Sequence, residues 1–278
     1  MRLHGRRIEV ELPWGLRGVG DGPHRCAVLT PLDGAAELLA SDEPNPFLAA
    51  HAILSRCLRR LGDRIEPSLD EVRRLSPLDR DFLLIRLDRL SFGDVRYQTL
   101  RCPIAECGTR MDVELDLSTV AVPAPPARHE RELALGDGRT LRFRLPLAED
   151  QEALFATREA ARATELVARC LVGPVVPLDP QQQLACALAI GEAMPRLDLS
   201  LVLACPKCGV EFGHEYDPVR GLLGRLRTGR GELLAEIHAL ALHYHWSHGE
   251  LLDLPRALRR EYLDLLERDT SRGKGFAP

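Results

Sequence analysis

The sequence predicts an α+β protein that is mainly α-helical, with a small β element built from two cysteine knuckles and an inserted β-hairpin followed by helices. Three observations predict this class. Long stretches carry apolar residues at helical spacing, two short strand-like segments each hold a pair of cysteines, and one segment between them alternates apolar and polar residues. The 278 residues suffice for one large or two modest domains.

Composition narrows the class of protein before any motif is considered. Apolar residues make up 45% of the chain, as in soluble globular proteins, and the formal net charge of −4 argues against a nucleic-acid partner. The sequence contains no apolar run of about 18 residues and no signal-peptide core, so we expect no membrane partner and a cytoplasmic location. In that reducing compartment the eight cysteines are expected to be metal ligands or buried thiols.

The N-terminal region, residues 1–101, is predicted to combine strands and helices. Ser76 and Pro77 fit the N-cap and first position of a helix that Gly93 ends. The other predicted elements are strands within 1–30, helices at 33–42 and 45–61, and a strand at 95–101.

Two segments about a hundred residues apart repeat one pattern. TLRCPIAECGTRMDVELD (99–116) and VLACPKCGVEFGHEYD (202–217) each run from a strand end through Cys-Pro to a second cysteine followed by glycine. Each then continues as an alternating strand and ends in Glu-x-Asp. The loops differ only in length, with four residues between the first pair of cysteines and two between the second, and both spacings occur in structural zinc sites.

The repeat predicts a split zinc ribbon over 102–118 and 199–217. Its metal ligands would be the thiolates of four cysteines: Cys102, Cys107, Cys205 and Cys208. Two chance cysteine pairs, or a thioredoxin-like dithiol at the second pair, are the competing interpretations. The redox interpretation is disfavoured because such a dithiol stands at a helix N-terminus, whereas 210–217 reads as a strand.

Four cysteines would close the coordination shell of the ion. A catalytic zinc usually keeps one position for water, so the pattern predicts structural Zn2+ and no catalytic residues. The sequence also has no His-Glu-x-x-His motif. Loss of one ligand should then unfold the ribbon.

Residues 129–198 are predicted to form an inserted hairpin-helix region. RELALGDGRTLRFRLP alternates leucine and phenylalanine with polar residues around Gly-Asp-Gly, which indicates a β-hairpin. We expect one helix at 149–171 and another that Asp179 caps, with Cys170 and Cys186 as buried thiols.

The C-terminal region, 218–268, is predicted to be helical, and residues 269–278 are predicted to be a disordered tail. Within it, Ser247 and Glu250 form a capping box pattern with Trp246 and Leu251 as the flanking apolar pair.

The histidines are interpreted as packing or surface residues. His214 could replace one of the four cysteine ligands, but it is expected instead to be a strand side chain facing solvent. Four histidines in the C-terminal region do not converge at helical spacing, because His243 points away from the face shared by His238 and His245. The fourth member of this group is His248.

Several segments together resemble a known family. They are LTPLDGAAELLA from residue 29, FRLPLAEDQEAL from residue 143, the paired knuckles, and EIHALALHYHWSHGELLDLPRALRREYLDLL at 236–266. The chain resembles the baseplate assembly family of contractile-tailed phages and related contractile injection systems, of the T-even-type baseplate hub assembly chaperone kind. The resemblance implies a non-enzymatic assembly chaperone or structural component, with baseplate hub or wedge proteins as partners. Incorporation into the tail or injection particle stays open.

A zinc-ribbon nucleic-acid-binding or regulatory protein is the alternative. The helix-turn-helix look of 232–268, with Arg256, Arg259 and Arg260, motivates it, although acidic residues interleave with these arginines. A zinc hydrolase ranks third, because it needs an open coordination position and a general base.

Overall fold

The structure, a computed structural model, describes residues 7–16, 24–124, 128–174 and 177–273. Its helices are α1 Gly34–Asp42, α2 Pro46–Cys57, α3 Leu69–Arg73, α4 Pro77–Phe92, α5 Ala148–Ala156, α6 Arg162–Cys170, α7 Pro180–Ala193, α8 Pro218–Tyr244, α9 His248–Leu252 and α10 Arg256–Gly273. Its strands are β1 Ile8–Leu16, β2 His24–Leu29, β3 Leu58–Leu61, β4 Arg64–Ile65, β5 Val95–Arg101, β6 Arg110–Asp116, β7 Glu130–Ala134, β8 Thr140–Arg144, β9 Leu171–Val172, β10 Ser200–Ala204 and β11 Glu211–Glu215. The predicted class, α+β and mainly helical, is confirmed.

The main body packs helices against one antiparallel sheet. The sheet has the order β1-β2-β3-β4, and its buried side chains share one hydrophobic core with those of α2, α4 and the start of α8. Leu12, Leu29, Ile53 and Leu83 are fully buried in this core. Aliphatic burial of this kind is the dominant favourable contribution to folding.

The helix predicted at 45–61 is shorter in the structure. α2 ends at Cys57, and Leu58–Leu61 form β3, which pairs antiparallel with β2. Local spacing is compatible with a helix here, but the sheet buries both Leu58 and Leu61 against the core. Long-range strand pairing therefore overrides the local helical pattern.

The helix predicted after Ser76 is confirmed. The Ser76 hydroxyl accepts a hydrogen bond from the amide of Asp79, and Pro77 occupies the first turn of α4. Gly93 ends the helix with φ 90°, in the region that favours glycine.

The two ends of the segment between the cysteine pairs lie side by side, since Ala121 and Asp198 form an isolated antiparallel β-bridge. The segment contains the predicted hairpin, β7 with β8, and a core of its own that closes around Trp14 from β1. Glu152 of α5 ties it to the body, since its carboxylate lies 3.0 Å from Nδ1 of His51 and 2.8 Å from Arg73.

The single helix predicted at 149–171 is wrong. The chain breaks at Thr157, whose backbone is extended and whose hydroxyl donates to the carbonyl of Ala153. A short 3-10 turn and α6 follow, and Leu171–Val172 then pair with β8 as β9. Each of the two helices still buries one side. The buried residues are Ala148, Asp150 and Glu152 in α5, and Val167 and Cys170 in α6.

The C-terminal helices form a third core, in which α8 packs against α9 and α10. The predicted Ser247–Glu250 capping box is present. α10 continues to Gly273, so the tail predicted to be disordered from residue 269 is helical at its start. Residues 274–278 lie outside the described residues.

Among the described residues, no helix combines the length and apolar character that crossing a membrane requires.

Candidate metal centre

Each cysteine pair stands at the tip of a two-stranded antiparallel hairpin. β5 pairs with β6 around Cys102 and Cys107, and β10 pairs with β11 around Cys205 and Cys208. We call these the first and second cysteine hairpins. The alternation of apolar and polar residues in both segments sets this geometry, since every second side chain of a strand faces the same side.

The two tips repeat one backbone arrangement despite their different loop lengths. The amide of Cys102 donates to the carbonyl of Thr109 at 2.9 Å, and the amide of Cys205 donates to that of Val210 at the same distance. In each case the accepting residue follows the glycine of the knuckle. Those glycines have φ 51° at Gly108 and 71° at Gly209, a left-handed conformation that L side chains rarely adopt.

The four sulfur atoms converge on one point. Sγ of Cys102 lies 3.6 Å from Sγ of Cys208, and Sγ of Cys107 lies 3.8 Å from Sγ of Cys205. All four ligand atoms lie within 4.8 Å of one another, and a disulfide would need about 2 Å. Sulfurs at the corners of a tetrahedron with Zn–S bonds of about 2.3 Å stand about 3.8 Å apart. The donor set therefore fits one tetrahedral metal ion.

The thiols differ in acidity. A hydrogen bond with the Thr109 side chain lowers the pKa of Cys107 to about 6, and the backbone amide of Cys208 lowers the pKa of Cys205. Burial raises the pKa of Cys102 to about 12. Metal ligation requires thiolates, so an ion that binds here displaces the remaining protons.

The two hairpins also contact each other below the cysteines, where Leu100 and Met111 of the first hairpin and Phe212 of the second are half-buried. His214 makes this contact, because its Nε2 lies 3.2 Å from Oε1 of Gln98. The prediction that His214 faces solvent is therefore wrong: it lies on the inner face, opposite the first hairpin.

The last aspartate of each repeat has a structural role that the sequence reasoning missed. Asp116 accepts from the amide of Ser118 and caps a 3-10 turn, and Asp217 accepts from the amide of Arg220 and caps α8. Pro218 directly after Asp217 was the available signal, because proline favours the first helical position.

Among the described residues, the four cysteines form the one cluster of three or more His, Cys, Asp or Glu side chains suited to a metal ion. The C-terminal histidines do not join it. His243 Nδ1 instead lies 2.9 Å from the carbonyl of Ala239, and His245 ends α8 with φ 56°.

The arginines that motivated a nucleic-acid-binding role are engaged within the protein. Arg259 is fully buried and pairs with Glu37 at 2.6 Å and with Glu236 at 3.0 Å. Arg256 pairs with Glu37 as well, and Arg260 lies 3.9 Å from Glu236. All three arginines therefore have carboxylate partners within the protein, which weakens the case for a basic nucleic-acid-binding face.

Fold and site together define an α+β protein with a four-thiol centre that could hold one metal ion. Residues 40–173 match the family model described as T4 bacteriophage base plate protein, so this part of the chain is similar to a phage baseplate protein family. The match contains the first cysteine hairpin but not the second. No curated protein matches the chain, and no solved structure matches it.

Proposed function

We propose that the chain is a non-catalytic assembly or structural component of the baseplate of a contractile tail or injection system. The family match over residues 40–173 carries this proposal. The partners would be other baseplate proteins, of the hub or the wedge, met in the cytoplasm while the particle is assembled.

The four cysteines would hold one structural Zn2+. The support is the spacing of the sulfur atoms, which suits tetrahedral coordination by thiolates, the ligands typical of structural zinc sites. Cys102, Cys107, Cys205 and Cys208 would fill the coordination shell and leave no position for a reacting water. The ion would join the two cysteine hairpins across the inserted segment.

Metal analysis of the purified chain tests the zinc assignment. We expect one zinc per chain by elemental mass spectrometry, and loss of that zinc in Cys205→Ser. Cys26→Ser is the matched control, because Cys26 lies outside the cluster and contacts Glu9 and Arg60 instead. Full zinc content in Cys205→Ser would contradict the four-cysteine site.

A tagged copy in the source cell tests the baseplate role. Mass spectrometry would identify co-purifying proteins in soluble complexes and in purified particles. Baseplate proteins in the soluble fraction alone would indicate a chaperone that leaves, whereas the protein inside particles would indicate a structural piece. Recovery of polymerase or DNA without baseplate proteins would overturn the proposal.

A further inference from the structure

A cleft of about 600 Å³ lies between the first cysteine hairpin and the start of α8, and nothing above gives it a role. We call it the β5–α8 cleft. β5 borders it with four consecutive residues, 95–98, and α8 borders it with Arg220, Gly224, Arg225 and Thr228. Its volume falls in the range of sites that hold a ligand or a short chain segment.

The cleft is positively charged. Its lining contains three arginines, Arg96, Arg220 and Arg225, and no carboxylate. Arg96 is neutralised by Asp88, with Nε 2.6 Å from Oδ2. Arg220 is 80% exposed and lies 3.5 Å from Asp217, so its charge is only loosely compensated.

Arg225 forms no direct ion pair among the described residues, and the carboxylate that acts on it from further away, Asp88, is bonded to Arg96. The Arg225 guanidinium lies over the ring of Phe92, 4.2 Å from the centroid, and the guanidinium of Arg256 lies 5.4 Å from the same centroid. Partial desolvation and the neighbouring Arg96 and Arg256 lower the pKa of Arg225, and the carboxylate of Asp88 offsets part of this effect. An anion in the cleft would relieve this repulsion and gain a charge-assisted hydrogen bond.

The strand that borders the cleft has an edge that pairs with no other described strand, and of its main-chain groups the carbonyl of Val95 accepts a hydrogen bond from the Arg96 guanidinium. β5 pairs with β6 alone among the described strands. Because successive residues of a strand point to opposite faces, four consecutive lining residues place the cleft along the edge of β5 rather than against one face. An edge of this kind can bind the main chain of an added extended segment.

Exposed apolar side chains flank this edge. Tyr97 is 72% exposed and Val95 is 38% exposed, so both are available to a docked chain. The segments outside the described termini do not match the charge of the cleft. Residues 1–6 contain Arg2 and Arg6, and 274–278 contain Lys274, without any acidic residue.

We propose that the β5–α8 cleft binds an extended acidic segment of a partner protein, which adds to the edge of β5 and places carboxylates at Arg225 and Arg220. This inference rests on the proposed function in so far as a baseplate component contacts other proteins. A peptide suits the cleft better than a nucleic acid does, because the strand edge offers main-chain hydrogen bonds and the cationic surface is narrow.

Gly224 allows the cleft to be filled without disturbing the protein. A Cβ built there meets nothing within 4 Å, and the same holds at Gly231, which lies on α8 outside the cleft. Gly224→Leu therefore blocks the cleft, and Gly231→Leu is the matched control. Both changes replace glycine within a helix by a better helix former, so both variants should fold.

The test is fluorescence polarisation with the full chain and a labelled Glu-Val-Glu-Val-Glu-Val peptide. We expect binding that weakens with salt, and affinity lower by about tenfold or more in Gly224→Leu and in Arg225→Glu. Gly231→Leu and Arg268→Glu should bind like the wild type. The proposal would be overturned if the corresponding lysine peptide bound as tightly, if the glutamate peptide did not bind, or if both cleft variants bound it with wild-type affinity. Preferential binding of a labelled single-stranded DNA would also overturn it.

Tagged Gly224→Leu in the source cell separates this proposal from the baseplate role. Loss of a baseplate protein that the wild type and Gly231→Leu retain would support both. If the wild type and both glycine variants retained the same baseplate proteins, the cleft proposal would be overturned and the proposed baseplate role would stand. If the wild type bound the peptide but recovered no baseplate protein from the cell, the cleft proposal would be supported and the proposed baseplate role would be overturned.

Discussion

The main body buries aliphatic side chains such as Leu12, Ile53 and Leu83 completely, whereas most side chains of the two cysteine hairpins are half-buried or exposed. In the hairpins, burial is concentrated at the base, near Leu115, and at Cys102 and Cys205, whereas Cys107 is half-buried and Cys208 is exposed. A two-stranded hairpin is at best marginally stable alone. We therefore expect that hydrophobic burial orders the body, whereas the proposed metal ion on the four thiols would order the hairpins.

The largest expected effect follows removal of one thiol from the centre. In Cys205→Ser, or after chelation of the wild type, we expect the hairpins to lose protection against hydrogen exchange while the body keeps it. Structural zinc contributes an apparent 10–16 kcal/mol in isolated zinc-finger peptides, roughly an upper limit for this site. Hydrogen exchange across 95–116 and 200–215 measures the effect. Unchanged protection in both segments would mean that the hairpins do not depend on the metal.

Truncation of a side chain in the core of the main body should destabilise the body and leave the metal site intact. Leu54 is fully buried in the body, so Leu54→Ala should lower the free energy of unfolding by about 2–5 kcal/mol without changing the zinc content. Urea denaturation and metal analysis give the two quantities. Leu242→Ala is the control, since this leucine is 62% exposed and its loss should cost about 0.5 kcal/mol or less. A coupled loss of zinc in Leu54→Ala would remove the distinction between the two regions.

The body should also respond to acid through His51. Burial, with Arg80 and Arg73 nearby, lowers the pKa of His51 to about 3, and its Nε2 has no hydrogen-bond partner among the described atoms. The unfolded chain binds this proton below about pH 6.5, so stability falls as the pH drops from there toward 3. Between pH 7 and pH 5 the loss should be about 2 kcal/mol.

The variant His51→Gln separates this contribution from that of other groups. Urea denaturation at the two pH values should show a pH dependence smaller by about 2 kcal/mol in the variant than in the wild type. The same pH dependence in both proteins would show that His51 does not carry the effect.

The smallest expected effects concern α8, which runs from the base of the second hairpin into the C-terminal core. Gly231→Ala should stabilise the protein by about 0.5–1 kcal/mol, because its Cβ meets open space in a helix. At Gly221 a Cβ would clash with the ring and hydroxyl of buried Tyr216, so the alanine variant should lose about 1 kcal/mol of stability. Thermal unfolding of the two variants measures both effects. Equal changes in melting temperature would contradict the close packing of Tyr216 on α8.

The sequence was most informative where chemistry restricts the choice of residue. The two Cys-Pro segments, each with a glycine after the second cysteine, allowed the four thiols to be grouped although about a hundred residues separate the pairs. The helix N-caps Ser76, Asp179 and Ser247 could also be predicted from the sequence. A short polar side chain before a helical pattern accepts hydrogen bonds from the free amides of the first helical turn.

Other features depended on partners that local patterns do not reveal. Leu58–Leu61 became a strand because β2 lies alongside, and Thr157 divided a stretch with helical spacing. The buried contact between His51 and Glu152 joins residues about a hundred positions apart without any repeated motif. His214 was misplaced for a related reason, since its neighbour Gln98 lies in the other hairpin.

A metal ion held by all four cysteines would close the chain between Cys107 and Cys205 into a loop, and this loop would affect how the protein bears force. Pulled straight, that stretch would extend over roughly 330 Å. With an ion bound, tension applied at the two ends of the molecule would pass from one hairpin tip to the other through the metal–sulfur bonds. The inserted hairpin and helices would then carry none of the load, and their unravelling would have to wait until the coordination bonds broke.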